Sequence, residues 1–151
     1  MFRVALLALI ALLLAACASG PVKRVFPPEA RVQEIRLQDG RATVQLRVQS
    51  FSTVPSEVEA YALTLEFAGQ EATRLEGETR LTVLPQAAET FTIETTLDTA
   101  ALERAKAALS NGTALRYRLH GTITVEPNGR AYPIDYSSAL SRAPGLEGVL
   151  R

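Results

Sequence analysis

The chain has a single cysteine, no tryptophan, one histidine and one methionine in 151 residues, and no net charge, with 16 basic residues against 16 acidic. Each shortage excludes something. One cysteine cannot close an intramolecular disulfide or build a cysteine-type zinc site. Without a Cys…Trp…Cys set, the chain lacks the signature of a true immunoglobulin domain. A neutral balance argues against a nucleic acid partner, which wants a basic excess to meet phosphate. No G-x-S-x-G elbow, phosphate-binding loop, G-x-G-x-x-G run or Asp-rich calcium loop occurs, so the short motifs of hydrolases and nucleotide binders are missing. No cofactor and no metal site are expected.

The cysteine stands where an apolar run ends. Arg3 is a short positive region, and Val4–Ala16 is thirteen unbroken apolar residues. As a helix these span roughly 20 Å, short of the ~30 Å hydrocarbon core, so the run reads as a secretory signal and not as a permanent span. Leu14-Ala15-Ala16-Cys17 resembles a bacterial lipobox, leucine–small–small–cysteine. That resemblance implies cleavage before Cys17, with Leu14, Ala15 and Ala16 read by the signal peptidase, and acyl chains on the Cys17 thiol and the new amine. Several chains anchor stably where one holds only reversibly. Ala18 and Ser19 are not Asp, which by the same resemblance favours the outer membrane, facing the periplasm, in a Gram-negative cell.

Removing 1–16 leaves 135 residues, enough for one domain with a real core. Residues 17–30 hold Gly20, Pro21, Pro27 and Pro28 and read as a lipidated tether. Alternation then begins. In Arg41–Ser50, Ala42, Val44, Leu46 and Val48 share one face, a half-buried strand behind an Asp39-Gly40 turn. Ile35 and Leu37 precede it. Tyr61, Leu63, Leu65 and Phe67 alternate next, then short strands around Ala72–Leu75 and Leu81–Val83, then Phe91, Ile93 and Thr95. Leu115, Tyr117, Leu119, Gly121, Ile123 and Val125 form one long face, and Tyr132, Ile134 and Tyr136 return after Pro127-Asn128-Gly129. One segment differs: about 99–110 has helical spacing, with Leu102, Ala105 and Leu109 on a stripe, Asp98 or Thr99 as cap and Asn111-Gly112 as stop. The sum is an all-β chain, an antiparallel β-sandwich of immunoglobulin or fibronectin type III style, with seven or eight strands and one short helix. A small barrel is the alternative. The domain is expected over 31–140 and a C-terminal tail over 141–151.

Val44–Val48 followed by a polar break, Val58–Phe67, Glu76-Gly77, Leu84-Pro85 before Phe91-Thr-Ile93, Tyr117–Ile123 and Tyr132–Asp135 occur in an order that resembles the group 2 late-embryogenesis-abundant family, with its water-stress-and-hypersensitive-response (WHy) domain. The resemblance covers about Val32 to Tyr136. The family's usual Asn after the long strand is replaced by Gln49-Ser50-Phe51-Ser52-Thr53. The resemblance implies a folded sandwich with a short helix, a link to desiccation and stress tolerance, and no enzymatic reaction.

Candidate chemistry is sparse. His120, Asp135 and Ser137 or Ser138 write a triad on paper, but the strand pattern puts His120 on the polar face. Glu57 with Glu59, and Glu76 with Glu78, share strand faces and read as solvated carboxylates. Arg116, Arg118 and His120 form a basic row, and Arg41 and Arg47 another. If their strands lie in one sheet, the rows make a surface for lipid headgroups, lipopolysaccharide phosphate or an acidic envelope protein; the competing reading is a solvated outer face with cross-strand acids such as Glu94 or Glu126. The expected function is a non-enzymatic, lipid-anchored periplasmic protein acting by surface contact in envelope or stress protection. The alternative is a lipid-binding carrier, or an accessory subunit of an envelope complex.

Overall fold

A computed structural model describes residues 22–151. Eight strands and one helix follow one another as β1 (Glu29–Gln38), β2 (Arg41–Gln49), β3 (Ser56–Phe67), β4 (Gln70–Val83), β5 (Ala88–Thr95), α1 (Thr99–Asn111), β6 (Leu115–Glu126), β7 (Arg130–Leu140) and β8 (Val149–Leu150). They form two antiparallel four-stranded sheets, in the orders β5-β2-β1-β8 and β4-β3-β6-β7. The protein is an all-β sandwich, not a barrel. β1, β2 and β5 facing β4, β3, β6 and β7 is the fibronectin type III style of arrangement, with β8 added beside β1.

Period-2 alternation explains the layering. Along β2, Ala42, Val44, Leu46 and Val48 are buried while Arg41, Thr43, Gln45, Arg47 and Gln49 face outward. Leu63, Leu65, Phe67, Leu119 and Ile123 meet them from the other sheet, with Ile35, Leu75 and Leu150 closing the core. Fully burying one such side chain contributes about 1.5–3 kcal/mol, which suits a domain with no covalent bridge.

Several elements differ from the sequence reading. The two short strands expected around 72–75 and 81–83 are one strand, β4, carried past Glu76–Arg80 by a bulge opposite Glu59. β1 starts at Glu29, inside the stretch read as tether. Residues 141–151, read as a tail, come back as β8, where Val149 and Leu150 pair with Arg36 and Ile35. The buried Glu34 holds this return. Its carboxylate accepts from Arg36 Nη2 at 3.0 Å and from Arg151 Nε at 2.9 Å. The helix is capped as its sequence suggests, Asp98 accepting from the Ala100 N–H at 2.9 Å and Gly112 taking the left-handed conformation. Its buried face is Ala101, Ala105 and Ala108, flanked by Leu102 and Leu109. The buried stripe is thus rotated from the expected Leu102–Ala105–Leu109, because small alanines let the helix seat close against β4 and β6.

Gly121 lies mid-strand in β6, opposite Leu63, at φ 140°. A Cβ there would stand 2.2 Å from the Ala62 carbonyl oxygen. Only glycine lets β3 and β6 approach this closely. Gly121→Ala is therefore expected to lower stability by about 3 kcal/mol or more, combining backbone strain and overpacking. Gly112→Ala, also at positive φ but with nothing within 4 Å, is expected to cost only about 1–2 kcal/mol. Urea denaturation of the two variants checks this, and equal costs would contradict it.

Candidate functional site

The outer face of the β4-β3-β6-β7 sheet carries the longer of the two basic rows read from the sequence. Arg116, Arg118 and His120 alternate along β6 with the buried Leu115, Tyr117 and Leu119. The neighbouring strands bring acids to them. Arg118 sits opposite Glu66 of β3 and Ser137 of β7; His120 sits opposite Thr64 and Asp135. The pairs form on the diagonals. Arg118 donates to Asp135 through Nε and Nη2, both at 2.8 Å, a bidentate fork. His120 Nε2 lies 3.1 Å from Glu66 Oε1.

This pairing sets the electrostatics. The Arg118 guanidinium, through those hydrogen bonds, holds the Asp135 carboxyl below the usual carboxylate range, and Asp135 in turn raises Arg118. Both groups are exposed, so the pair organises the face more than it stabilises the fold. The acids that complete the row are Glu66 and Asp135, not Glu94 or Glu126: Glu94 belongs to β5 in the other sheet, and Glu126 lies opposite Glu57 at the other end of β6.

Beside this face, where the β3–β4 turn passes the start of β6, a hollow of about 880 Å³ opens between Glu66, Ala68, Gly69, Arg116, Arg118 and Ser137–Ala139. Its floor reaches Tyr117. The Tyr117 hydroxyl points inward and donates to the Val32 carbonyl at 3.3 Å. Burial pushes its phenol up to about 12, against the opposing pull of that hydrogen bond. Near neutrality Tyr117 is thus a neutral phenol that keeps its proton, hydrogen-bonded to the Val32 carbonyl, and packs against the core.

The two basic rows do not combine. Arg41 and Arg47 lie on β2, in the β5-β2-β1-β8 sheet, so they face away from Arg116, Arg118 and His120 across the sandwich. A continuous cationic surface through all five residues does not exist. Arg41 borders a hollow of about 330 Å³ with Asp39 and Glu94. Arg47 borders one of about 240 Å³ with Glu29, Arg31 and Phe51.

The paper triad dissolves as well. Asp135 faces Arg118, and His120 turns to Glu66 on the opposite side from β7 and its serines. Glu59 is the bulged residue of β3 and borders a hollow of about 490 Å³ with Glu78 and Arg80. Among the described residues, no three His, Cys, Asp or Glu side chains are grouped to hold a metal ion. Leu14, Ala15, Ala16 and Cys17 lie outside the described residues. No helix among the described residues is long and apolar enough to cross a membrane.

No family model matches the chain, and no curated protein matches it. Solved structures do. The chain is similar to the solution structure of an Arabidopsis thaliana protein, at 12% identity and a TM-score of 0.55, over 87% of this chain and 93% of that one. What they share is the fold. Similarity extends to the crystal structure of an Archaeoglobus fulgidus protein, at 17% identity and a TM-score of 0.46, over 82% of this chain and 99% of that one. It extends also to the solution structure of a candidate late embryogenesis abundant (LEA) protein, at 14% identity and a TM-score of 0.44, over 85% of this chain and 74% of that one.

Sequence reasoning found the β6 row but missed its partners, because cross-strand diagonals depend on register. It also missed a cluster around the 50–56 loop. There Ser50, Ser52 and Ser56 are buried and Thr53 binds the incoming chain. The one available signal was the polar run Gln49–Thr53 itself.

Two outcomes are expected. Arg118→Gln should return the Asp135 carboxyl upward toward its ordinary range, read by carbon-detected NMR titration; an unmoved value would contradict the fork. Tyr117→Phe should cost about 1 kcal/mol near neutral pH through the lost hydrogen bond. A raised phenol contributes stability that is complete below its unfolded value near 10 and is lost as pH climbs through about 12. The stability difference between wild type and Tyr117→Phe should therefore shrink or reverse over that interval in alkaline unfolding curves.

Proposed function

We propose that the chain is a non-enzymatic lipoprotein, anchored by acyl chains on Cys17 to the outer membrane and presenting its sandwich to the periplasm, where it acts by surface contact with envelope components or client proteins. The observation that carries the reading is the state of the β6 face. Its polar groups answer one another, Arg118 with Asp135 in an open ion pair and His120 with Glu66 through a 3.1 Å contact, and leave no nucleophile beside a base. Such a face suits recognition and hydration better than bond cleavage. The lipobox at Leu14–Cys17 supports the anchor, and the resemblance of Val32–Tyr136 to the WHy-domain family supports a stress-protective role.

The lipid-carrier reading gains no support from the space between the sheets, which Ile35, Leu46, Leu63, Leu65, Phe67, Leu119 and Ile123 fill, each 2% exposed or less.

Metabolic labelling with an alkyne fatty acid tests the anchor. Wild type should label and Cys17→Ser should not; an unlabelled wild type would overturn the reading. Survival of a deletion strain through drying and rewetting tests the protective role. A fall restored by wild type and not by Cys17→Ser is expected, and unchanged survival would remove that role.

A further inference from the structure

Four of the five exposed large hydrophobic residues among those described gather at one end of the sandwich. They are Val22 (61% exposed), Phe26 (41%), Phe51 (45%) and Leu84 (56%). This end is where β1, β3 and β5 begin and β2 and β4 finish, with Glu29 opposite Gln49, Gln49 opposite Ala88 and Ser56 opposite Val83. Its loops are tied into one body. Gln86 Nε2 donates to the Phe51 carbonyl at 2.7 Å, the Ser50 N–H to Ala87 at 2.9 Å, and the Ala87 N–H back to Leu84 at 3.1 Å. The fifth residue, Leu146, lies at the opposite end, in the loop whose Gly148 carbonyl accepts from Leu37 beside the Asp39-Gly40 turn.

The same end receives the N-terminal chain and holds it. Thr53 accepts from the Arg24 N–H at 2.8 Å and donates to the Val22 carbonyl at 2.8 Å, and its own N–H donates to Arg24 at 3.0 Å. Ser52 accepts from the Phe26 N–H at 3.1 Å. The tether is therefore fixed to the domain from Val22 onward. Five residue steps separate Val22 from Cys17, and these reach at most about 18 Å. With acyl chains on Cys17, the apolar end cannot leave the neighbourhood of the bilayer.

We propose that this end is a membrane-docking face: Val22, Phe26, Phe51 and Leu84 enter the headgroup–acyl boundary of the bilayer that holds the anchor, and the sandwich stands end-on. The inference rests on the lipid-anchor reading. Charge placement agrees with it. Arg31 and Arg47 stand directly opposite each other, one short step along β1 and β2 from this end, and share a hollow with Phe51, Gln49 and Glu29. Like charges facing across a ladder are unfavourable unless something anionic meets them. Among the described residues no carboxylate forms an ion pair with either. With the apolar tips buried to the usual depth of about 5–10 Å, phospholipid phosphates fall at the level of these two guanidiniums.

The test uses the full lipidated chain, purified from membranes and reconstituted into phosphatidylethanolamine–phosphatidylglycerol vesicles, with and without brominated acyl chains. Cys17 carries lipid, so an introduced cysteine is the one free thiol. A fluorophore on Pro55→Cys reports the docking end, and one on Leu146→Cys the far end. Flotation of the chain with the vesicles reads the anchor separately. The expected result is flotation, with roughly twofold or stronger quenching by brominated lipid at 55, none at 146, and loss of the quenching at 55 in a Phe51→Ser/Leu84→Ser background. Both serines replace exposed side chains, and an unchanged circular dichroism spectrum confirms the fold. Flotation with equal, weak quenching at both ends would overturn end-on docking and leave the anchor standing. Quenching at 55 that survives the two serines would overturn the role of those side chains. Failure to float would overturn the anchor and the docking with it.

Discussion

Water is kept out of one slab of space between two sheets, and almost everything else in this protein follows from that. No covalent bridge assists within the domain, so each strand must present an apolar residue at every second position along the stretch where the sheets overlap. The alternation in β2, β3 and β6 is that requirement written into sequence. It also fixes what the outer faces carry. Once Tyr117 and Leu119 turn inward, Arg118 and His120 have no choice but to turn outward, toward whatever β3 and β7 offer.

Offered there are Glu66 and Asp135, and the result is a face on which Arg118 and His120 are met by their own neighbours. A free cationic row would seek phosphate or an acidic partner. A row answered by its own neighbours is a hydrated, low-charge surface. Arg31 and Arg47, which face each other without an ion-pair partner among the described residues, lie in the other sheet and near the end that receives the N-terminal chain. The two sheets thus carry their basic side chains in different settings, one beside cross-strand acids and one with two arginines facing each other.

The strands were legible because period 2 survives in any single segment, and the helix because its cap and stop are local. Register was not legible. It depends on bulges at Gln33 and Glu59 and on where β3 meets β6, which Gly121 permits, so the acids expected near the basic row were the wrong ones. Sheet membership was not legible either. Period 2 says which side of a strand is polar but not which sheet owns it, and so Arg41 and Arg47 seemed combinable with Arg116 and Arg118. β8 escaped because two residues carry no periodicity; its place depends on a buried Glu34 that reads as one more charge in β1. The loop that grips the tether escaped for a related reason, since hydrogen bonds from Thr53 and Ser52 to backbone groups leave no pattern to read.

The borders of the two sheets have a consequence of their own. On one side, Thr73 and Thr95 hydroxyls meet at 2.8 Å and the Asp98 N–H reaches the Ala72 carbonyl, stitching β4 to the end of β5. On the other, Ser141 and Arg151 exchange backbone hydrogen bonds, so the chain leaving β7 is folded against β8. Open strand borders are templates on which neighbouring copies can polymerise. At these two places the chain's own groups occupy what would otherwise be open template, so a neighbouring copy finds less free border there to pair with.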